Sequence, residues 1–123
     1  MLDVVTAAAL GAQLSGFRYD LTTEDSIQRD LAFALARRGF RDAEREVRLS
    51  ATDRLDFLVG GVAIEVKLNG SVGELLRQLS RYAAYERVRE LLVVTARLQL
   101  SDLPNRLHDK PLACLVLFGS IFG

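Results

Sequence analysis

The feature that most constrains this chain is a pair of alternating apolar segments, Arg54 to Val59 and Val62 to Leu68, separated only by Gly60 and Gly61. Two successive glycines let both central residues of a turn take positive φ, so the pair predicts a tight two-residue β-hairpin. The register then follows from the numbering. Residues facing each other sum to 121, which sets Asp56 opposite Glu65. Side chains alternate along a strand, so Lys67 leaves the same face as Glu65, about 7 Å further on. The opposite face collects Leu55, Phe57, Val59, Val62, Ile64, Val66 and Leu68, an apolar surface expected to join the core.

Two carboxylates roughly 4 to 5 Å apart repel by about 3 to 4 kcal/mol at an effective dielectric near 20, and like charges directly across a sheet are destabilising. A cation is expected to offset them. Hard carboxylate oxygens suit Mg²⁺, which uses only one or two protein carboxylates and keeps several waters. With a lysine alongside, the arrangement suits hydrolysis of a phosphodiester. A solvated sheet face carrying a plain salt-bridge cluster fits the same triplet, and spacing alone leaves both readings open.

The rest of the chain reads as one domain, residues 1–123, without repeats or low-complexity tracts. An alanine-rich helix over residues 3–14, within an N-terminal segment 1–16, is expected to dock or to form a dimer contact. A second helix is expected from Thr22, spaced to Asp25 as in a capping box, to Gly39. Ile27, Leu31, Ala34 and Leu35 form its apolar stripe. From Glu44 the period changes to two, with Glu46, Arg48 and Ser50 alternating with Val47 and Leu49, so that Glu46 and Arg48 share one strand face as a surface pair. Ser71 and Glu74 predict a third helix running to about Glu90. A buried strand over Leu91 to Ala96 follows, then a short helix or loop from Ser101 to His108, and a last buried strand from Leu112 to Phe118. The sum is an α/β protein: a mixed sheet of about five strands in the order 1-2-3-4-5, strand 2 antiparallel, with helices on both sides.

The stretch Arg54-Leu-Asp-Phe-Leu-Val-Gly-Gly-Val-Ala-Ile-Glu-Val-Lys67 resembles the catalytic hairpin of the PD-(D/E)XK nuclease superfamily, and the likeness runs from Glu24 to Ala96. It implies a three-layer α/β/α restriction-endonuclease-like fold. It also implies metal ligation by Asp56, Glu65 and the Val66 backbone carbonyl, with Lys67 at the water and phosphate. Leu55 stands where the family's nominal proline would be. Glu24 matches the glutamate that many members place on the preceding helix to support the metal, with Asp25 as its rival. Gln78-Leu-Ser-Arg-Tyr82 is similar to the Gln-x-x-x-Tyr motif of RecB-type nucleases, in which the i, i+4 pair shares one helix face. Gln78 and Tyr82, with Arg81 and Arg77 on the same helix, are the expected nucleic-acid contacts. The resemblance therefore implies an Mg²⁺- or Mn²⁺-dependent DNA nuclease acting on single strands, ends or branched DNA, as a homodimer or with an accessory protein. A homodimeric nuclease similar to Holliday-junction resolvases, and a non-catalytic nucleic-acid-binding or regulatory module on the same fold, are the alternatives.

Composition sets bounds on these expectations. Formal net charge is zero, so no overall basic field announces a nucleic-acid partner. Arginine nevertheless outnumbers lysine 14 to 2, and its planar fork suits phosphate. A single cysteine, Cys114, excludes a disulfide framework and a cysteine metal cluster, and a cytoplasmic setting is expected. No apolar run is long enough for a membrane span. His108, the sole histidine, has no partner at ligand spacing and reads as structural. No glycine-rich loop is followed by a Walker lysine.

Overall fold

The computed structural model describes residues 4–118 of the 123-residue chain. Its elements are α1 (Ala7–Leu14), α2 (Glu24–Arg37), β1 (Glu44–Arg48), β2 (Arg54–Val59), β3 (Val62–Val66), α3 (Val72–Ala83), β4 (Glu90–Thr95), a 3₁₀ turn (Leu98–Ser101), β5 (Arg106–Leu107) and β6 (Lys110–Val116). The strands form one mixed six-stranded sheet in the order β1-β2-β3-β4-β6-β5. β2 runs antiparallel to β1 and β3, β4 lies parallel to β3 and β6, and β5 closes the far edge antiparallel to β6. Among the described residues, no helix is long and apolar enough to cross a membrane.

The sheet separates two apolar layers. On one face Leu10 and Leu14 of α1 and Ile27, Leu31 and Leu35 of α2 pack against Phe57, Ile64, Val66 and Leu92. On the other, Leu75, Leu79 and Tyr82 of α3 pack against Leu58, Ala63, Leu91 and Val93. β3 and β4 are buried on both faces, which is why Leu91 to Val94 read as a continuous apolar run. Gly60 and Gly61 take φ values of 53° and 87°, and the register Phe57↔Ile64, Leu58↔Ala63, Val59↔Val62 is the one the glycine pair predicts.

Several expectations are corrected. The sheet has six strands rather than about five, and their order is not sequential. The added strand is only two residues long, too short for any periodicity to reveal it. His108 and Asp109 form its turn, both at positive φ (51° and 61°), and the paired stretch starts at Lys110 rather than Leu112. α3 stops at Ala83 instead of Glu90. Beyond it the chain turns back, and the Arg89 and Glu90 amides both donate to the Gly61 carbonyl (2.7 and 3.2 Å), which makes Glu90 the start of β4. α2 is capped by Thr23 with Ser26 in reciprocal hydrogen bonds, not by Thr22 with Asp25, because Asp20 engages the Thr22 amide and hydroxyl. α1 begins at Ala7, with Thr6 as its cap, and its apolar face is spent on the core. Residues 1–3 of the N-terminal segment expected to dock or to form a dimer contact lie outside the described residues.

β1 departs most from its pattern. Glu46 sits at φ 52°, in the left-handed region that a non-glycine residue seldom adopts. Arg45 consequently lies over the Phe57 ring on the α2 side (5.3 Å to the centroid), whereas Val47, two residues on, is buried on the α3 side. Leu55, paired with Val47, joins the α3-side core as well, not the Phe57 surface expected of it.

One partly buried ion pair ties the first helix to the hairpin. Glu90 accepts hydrogen bonds from the Ala7 amide at the start of α1 (2.7 Å) and from Arg89 Nη1 (2.9 Å), while Arg89 Nη2 reaches the carbonyls of Val5 and Gly60. Glu90→Ala leaves both donors without their acceptor and is expected to lower stability by about 2 to 3 kcal/mol. Urea unfolding followed by circular dichroism reads this as a lower midpoint with an unchanged slope.

Candidate active site

Asp56 and Glu65 meet where the hairpin opens. A regular ladder would carry the Val66 amide to a β2 carbonyl, but it donates instead to Asp56 Oδ2 (2.8 Å). Glu65, only 6 % exposed, turns Oε1 to Gln78 Nε2 (3.0 Å), and its Oε2 is buried with no hydrogen-bond partner among the described residues. A buried carboxylate oxygen without a donor is costly and calls for a proton or a cation.

Both acids hold their protons more tightly than ordinary carboxylates. Burial is the largest cause for each, raising Asp56 to about 6 and Glu65 to about 9. The neighbouring Asp56 charge adds to the rise at Glu65, and Glu24 adds to both, while Lys67 pulls both down. The mutual repulsion inferred from the register is therefore present but secondary to desolvation.

The segment that carries Lys67 is fixed on three sides. The Lys67 amide donates to Val94 of β4 (3.0 Å), the Leu68 amide to Glu24 Oε2 (2.9 Å), and Arg97 Nη1 to the Leu68 carbonyl (2.9 Å). Glu24 thus reaches the end of β3 from the first turn of α2, and its Oε2 is engaged with backbone. Asp25, its rival, is exposed and lines an adjoining cleft with Thr22, Thr23, Leu68 and Asn69.

Gln78 and Tyr82 lie one turn apart on α3, and of the two Gln78 reaches a carboxylate, that of Glu65. Gln78 Nε2 also donates to the Tyr82 hydroxyl (2.9 Å), which in turn donates to the Arg54 carbonyl (3.0 Å). Tyr82 is 3 % exposed, and burial is the first cause of the upward shift of its hydroxyl. The pair therefore forms the wall behind Glu65, with its polar atoms engaged inside the protein. Arg81 lines the same cleft, and its Nε is held by buried Asp53 (3.0 Å). Arg77 is exposed and does not line it.

A cleft of about 340 Å³ opens over Asp56 and Glu65, lined further by Arg48, Thr52, Arg54, Gln78, Arg81 and Tyr82. Four features escape sequence reasoning. Asp53 is the anchor for Arg81 and for the Tyr85 hydroxyl (3.0 Å), Arg54 and Thr52 line the cleft, and Arg97 braces Leu68. Arg48 enters the cleft without Glu46, against the expected surface pair. For Thr52, Asp53 and Arg54 the only signal available was a short turn, Ser50–Asp53, flanked by arginines, which marks surface loops in general.

Among the described residues no group of three or more His, Cys, Asp or Glu side chains stands close enough to hold a metal ion. The pair Asp56 and Glu65 fits a divalent ion nonetheless, since Mg²⁺ takes one or two carboxylates and keeps water in its other positions, and Glu65 Oε2 is a buried acceptor lacking a donor. Comparison with protein-family models, with curated proteins and with solved structures finds no match for this chain.

Proposed function

We propose that this protein is a metal-dependent nuclease of the PD-(D/E)XK type, with a restriction-endonuclease-like fold, hydrolysing phosphodiester bonds in single-stranded DNA or at DNA ends. The observation that carries this reading is the pair of half-buried Asp56 and buried Glu65, with an orphaned oxygen on Glu65, in an arginine-lined cleft and near enough to Lys67 for its charge to draw both carboxyls down.

In this reading Asp56, Glu65 and the Val66 carbonyl hold Mg²⁺ or Mn²⁺, which when bound supplies Lewis-acid activation of a phosphate oxygen and of water. Burial keeps the pair out of bulk water and strengthens its hold on a cation. Gln78 engages Glu65 through Oε1 and leaves Oε2 as the oxygen that would hold the ion. Glu24 fixes the backbone that carries Lys67 by accepting from the next amide. The neutral net charge places affinity in local arginines rather than in a global field, which suits a cleft gripping a few phosphates.

A non-catalytic nucleic-acid-binding module is the second reading. It is favoured by the internal engagement of Gln78 and Tyr82, which here support the fold rather than face a ligand. Incubation with end-labelled single-stranded, blunt, nicked and circular DNA in Mn²⁺ separates the two. The nuclease reading expects cleavage that falls about 10²-fold in Lys67→Ala, the scale of losing one electrostatic contact to a transition state. Identical background from wild type and Lys67→Ala on every substrate sinks it.

A further inference from the structure

Arg48 and Arg54 are direct cross-strand partners at the outer edge of the sheet, and both line the cleft above the carboxylate pair. Like charges placed opposite each other in a ladder are destabilising, so the placement calls for an anion between or above them. A third guanidinium completes the set. Arg81 comes from α3 on the other side of the cleft, its Nε fixed by Asp53, which is 6 % exposed and is itself held by the Tyr85 hydroxyl and the Ser50 side chain. Anchoring through Nε leaves the two terminal amino groups of Arg81 without a protein hydrogen bond among the described residues. Arg48 spends Nη1 on the Ala51 carbonyl (3.2 Å), and the Arg54 side chain makes no hydrogen bond among them. Thr52, at the tip of the turn joining β1 to β2, adds a hydroxyl to the same lining.

We infer that Arg48, Arg54 and Arg81, with Thr52, form a phosphate-binding subsite of the cleft, separate from the Asp56–Glu65 pair, that seats a second phosphate of the bound nucleic-acid strand. The chemistry that selects phosphate is the planar, multi-donor guanidinium, which pairs two oxygens of a tetrahedral oxyanion at once, presented from two opposed walls. The carboxylates beside the subsite repel an anion placed directly over them, so the phosphate sits toward the β1–β2 edge and the strand passes across the cleft mouth. Asp53 acts as a positioning residue: it holds one guanidinium in place while no phosphate is bound. This inference rests on the nucleic-acid reading of the cleft but not on catalysis.

The test is binding in EDTA, where no cleavage occurs. Fluorescence anisotropy with a labelled oligothymidylate, with and without a 5′-phosphate, gives the slope of log affinity against log salt. For a single strand each phosphate contact contributes a slope of roughly 0.7. Arg54→Gln, Arg48→Gln and Arg81→Gln are each expected to lower the slope by about that amount and to weaken binding at low salt about 5- to 10-fold. Arg37→Gln on exposed α2 leaves both unchanged, and unaltered thermal melts show that the variants fold. Loss on both oligonucleotides assigns an internal backbone phosphate, and loss confined to the phosphorylated one assigns a terminal phosphate; either supports the subsite. Slopes equal to wild type in all three variants, or no binding by wild type, overturn it. Arginine-dependent binding without Mn²⁺-dependent cleavage would keep the subsite and end the nuclease reading.

Discussion

Glu65→Gln is expected to lower Mn²⁺-dependent cleavage at least about 10³-fold, the scale of losing a metal's several kcal/mol of charge stabilisation. The amide keeps the size of the side chain and an oxygen for Gln78 Nε2 to donate to, so the wall of the cleft survives. What disappears is the negative charge whose second oxygen is buried without a donor. The same substitution therefore moves a quantity that ordinary disruption would not. In EDTA at alkaline pH the variant should unfold at a higher temperature than wild type, because it buries no ionisable acid at position 65. Calorimetric titration should show Mn²⁺ binding in wild type and none in the variant. Wild-type cleavage rates in Glu65→Gln would remove Glu65 from the chemistry.

The second large effect is the pH dependence of stability without metal. Folding raises Asp56 to about 6 and Glu65 to about 9, so the folded state binds these two protons more tightly than the unfolded chain does. Their contribution is fully present below the ordinary carboxylate range. It is lost progressively as pH climbs, first through the Asp56 value and then through that of Glu65. In EDTA the melting temperature is thus expected to fall between about pH 5 and pH 9, by an amount equivalent to a few kcal/mol. Asp20, whose carboxyl is lowered first by its hydrogen bonds from Thr22, acts in the opposite sense and only in acid. Saturating Mn²⁺ competes with the protons, so its stabilising effect should grow with pH, reaching about 2.7 kcal/mol at one hundred times its dissociation constant. A metal-free melting temperature that stays level or rises over this range would show that the carboxylates are not buried together.

The hairpin was legible in the sequence because glycine at both turn positions leaves one register, and that register carries Asp56 and Glu65 with it. The main apolar face of the hairpin and the stripe of α2 were legible for the same reason: burial imposes a period. What escaped had no period to impose. The strand Arg106–Leu107 has two residues, and its turn uses His108 and Asp109 where glycine would have announced it. The face change at Glu46 depends on one backbone angle that its side chain does not advertise. The early end of α3 depends on a carbonyl at Gly61, remote in sequence, that captures the amides of Arg89 and Glu90. Asp53 illustrates the limit most plainly, since an aspartate beside a turn is common and only the fold brings Arg81 and Tyr85 to it.

The amide of Val66 fastens the open end of the hairpin to the side chain of Asp56. One carboxylate therefore works as a latch for the backbone and as part of the charge beneath the cleft, and whatever draws electron density from it also slackens the latch. A change at position 56 mixes a structural injury with a chemical one, whereas position 65 lets the chemistry be altered almost alone. The latch also gives the strand leading to Lys67 a way to feel what occupies the cleft, one peptide unit away.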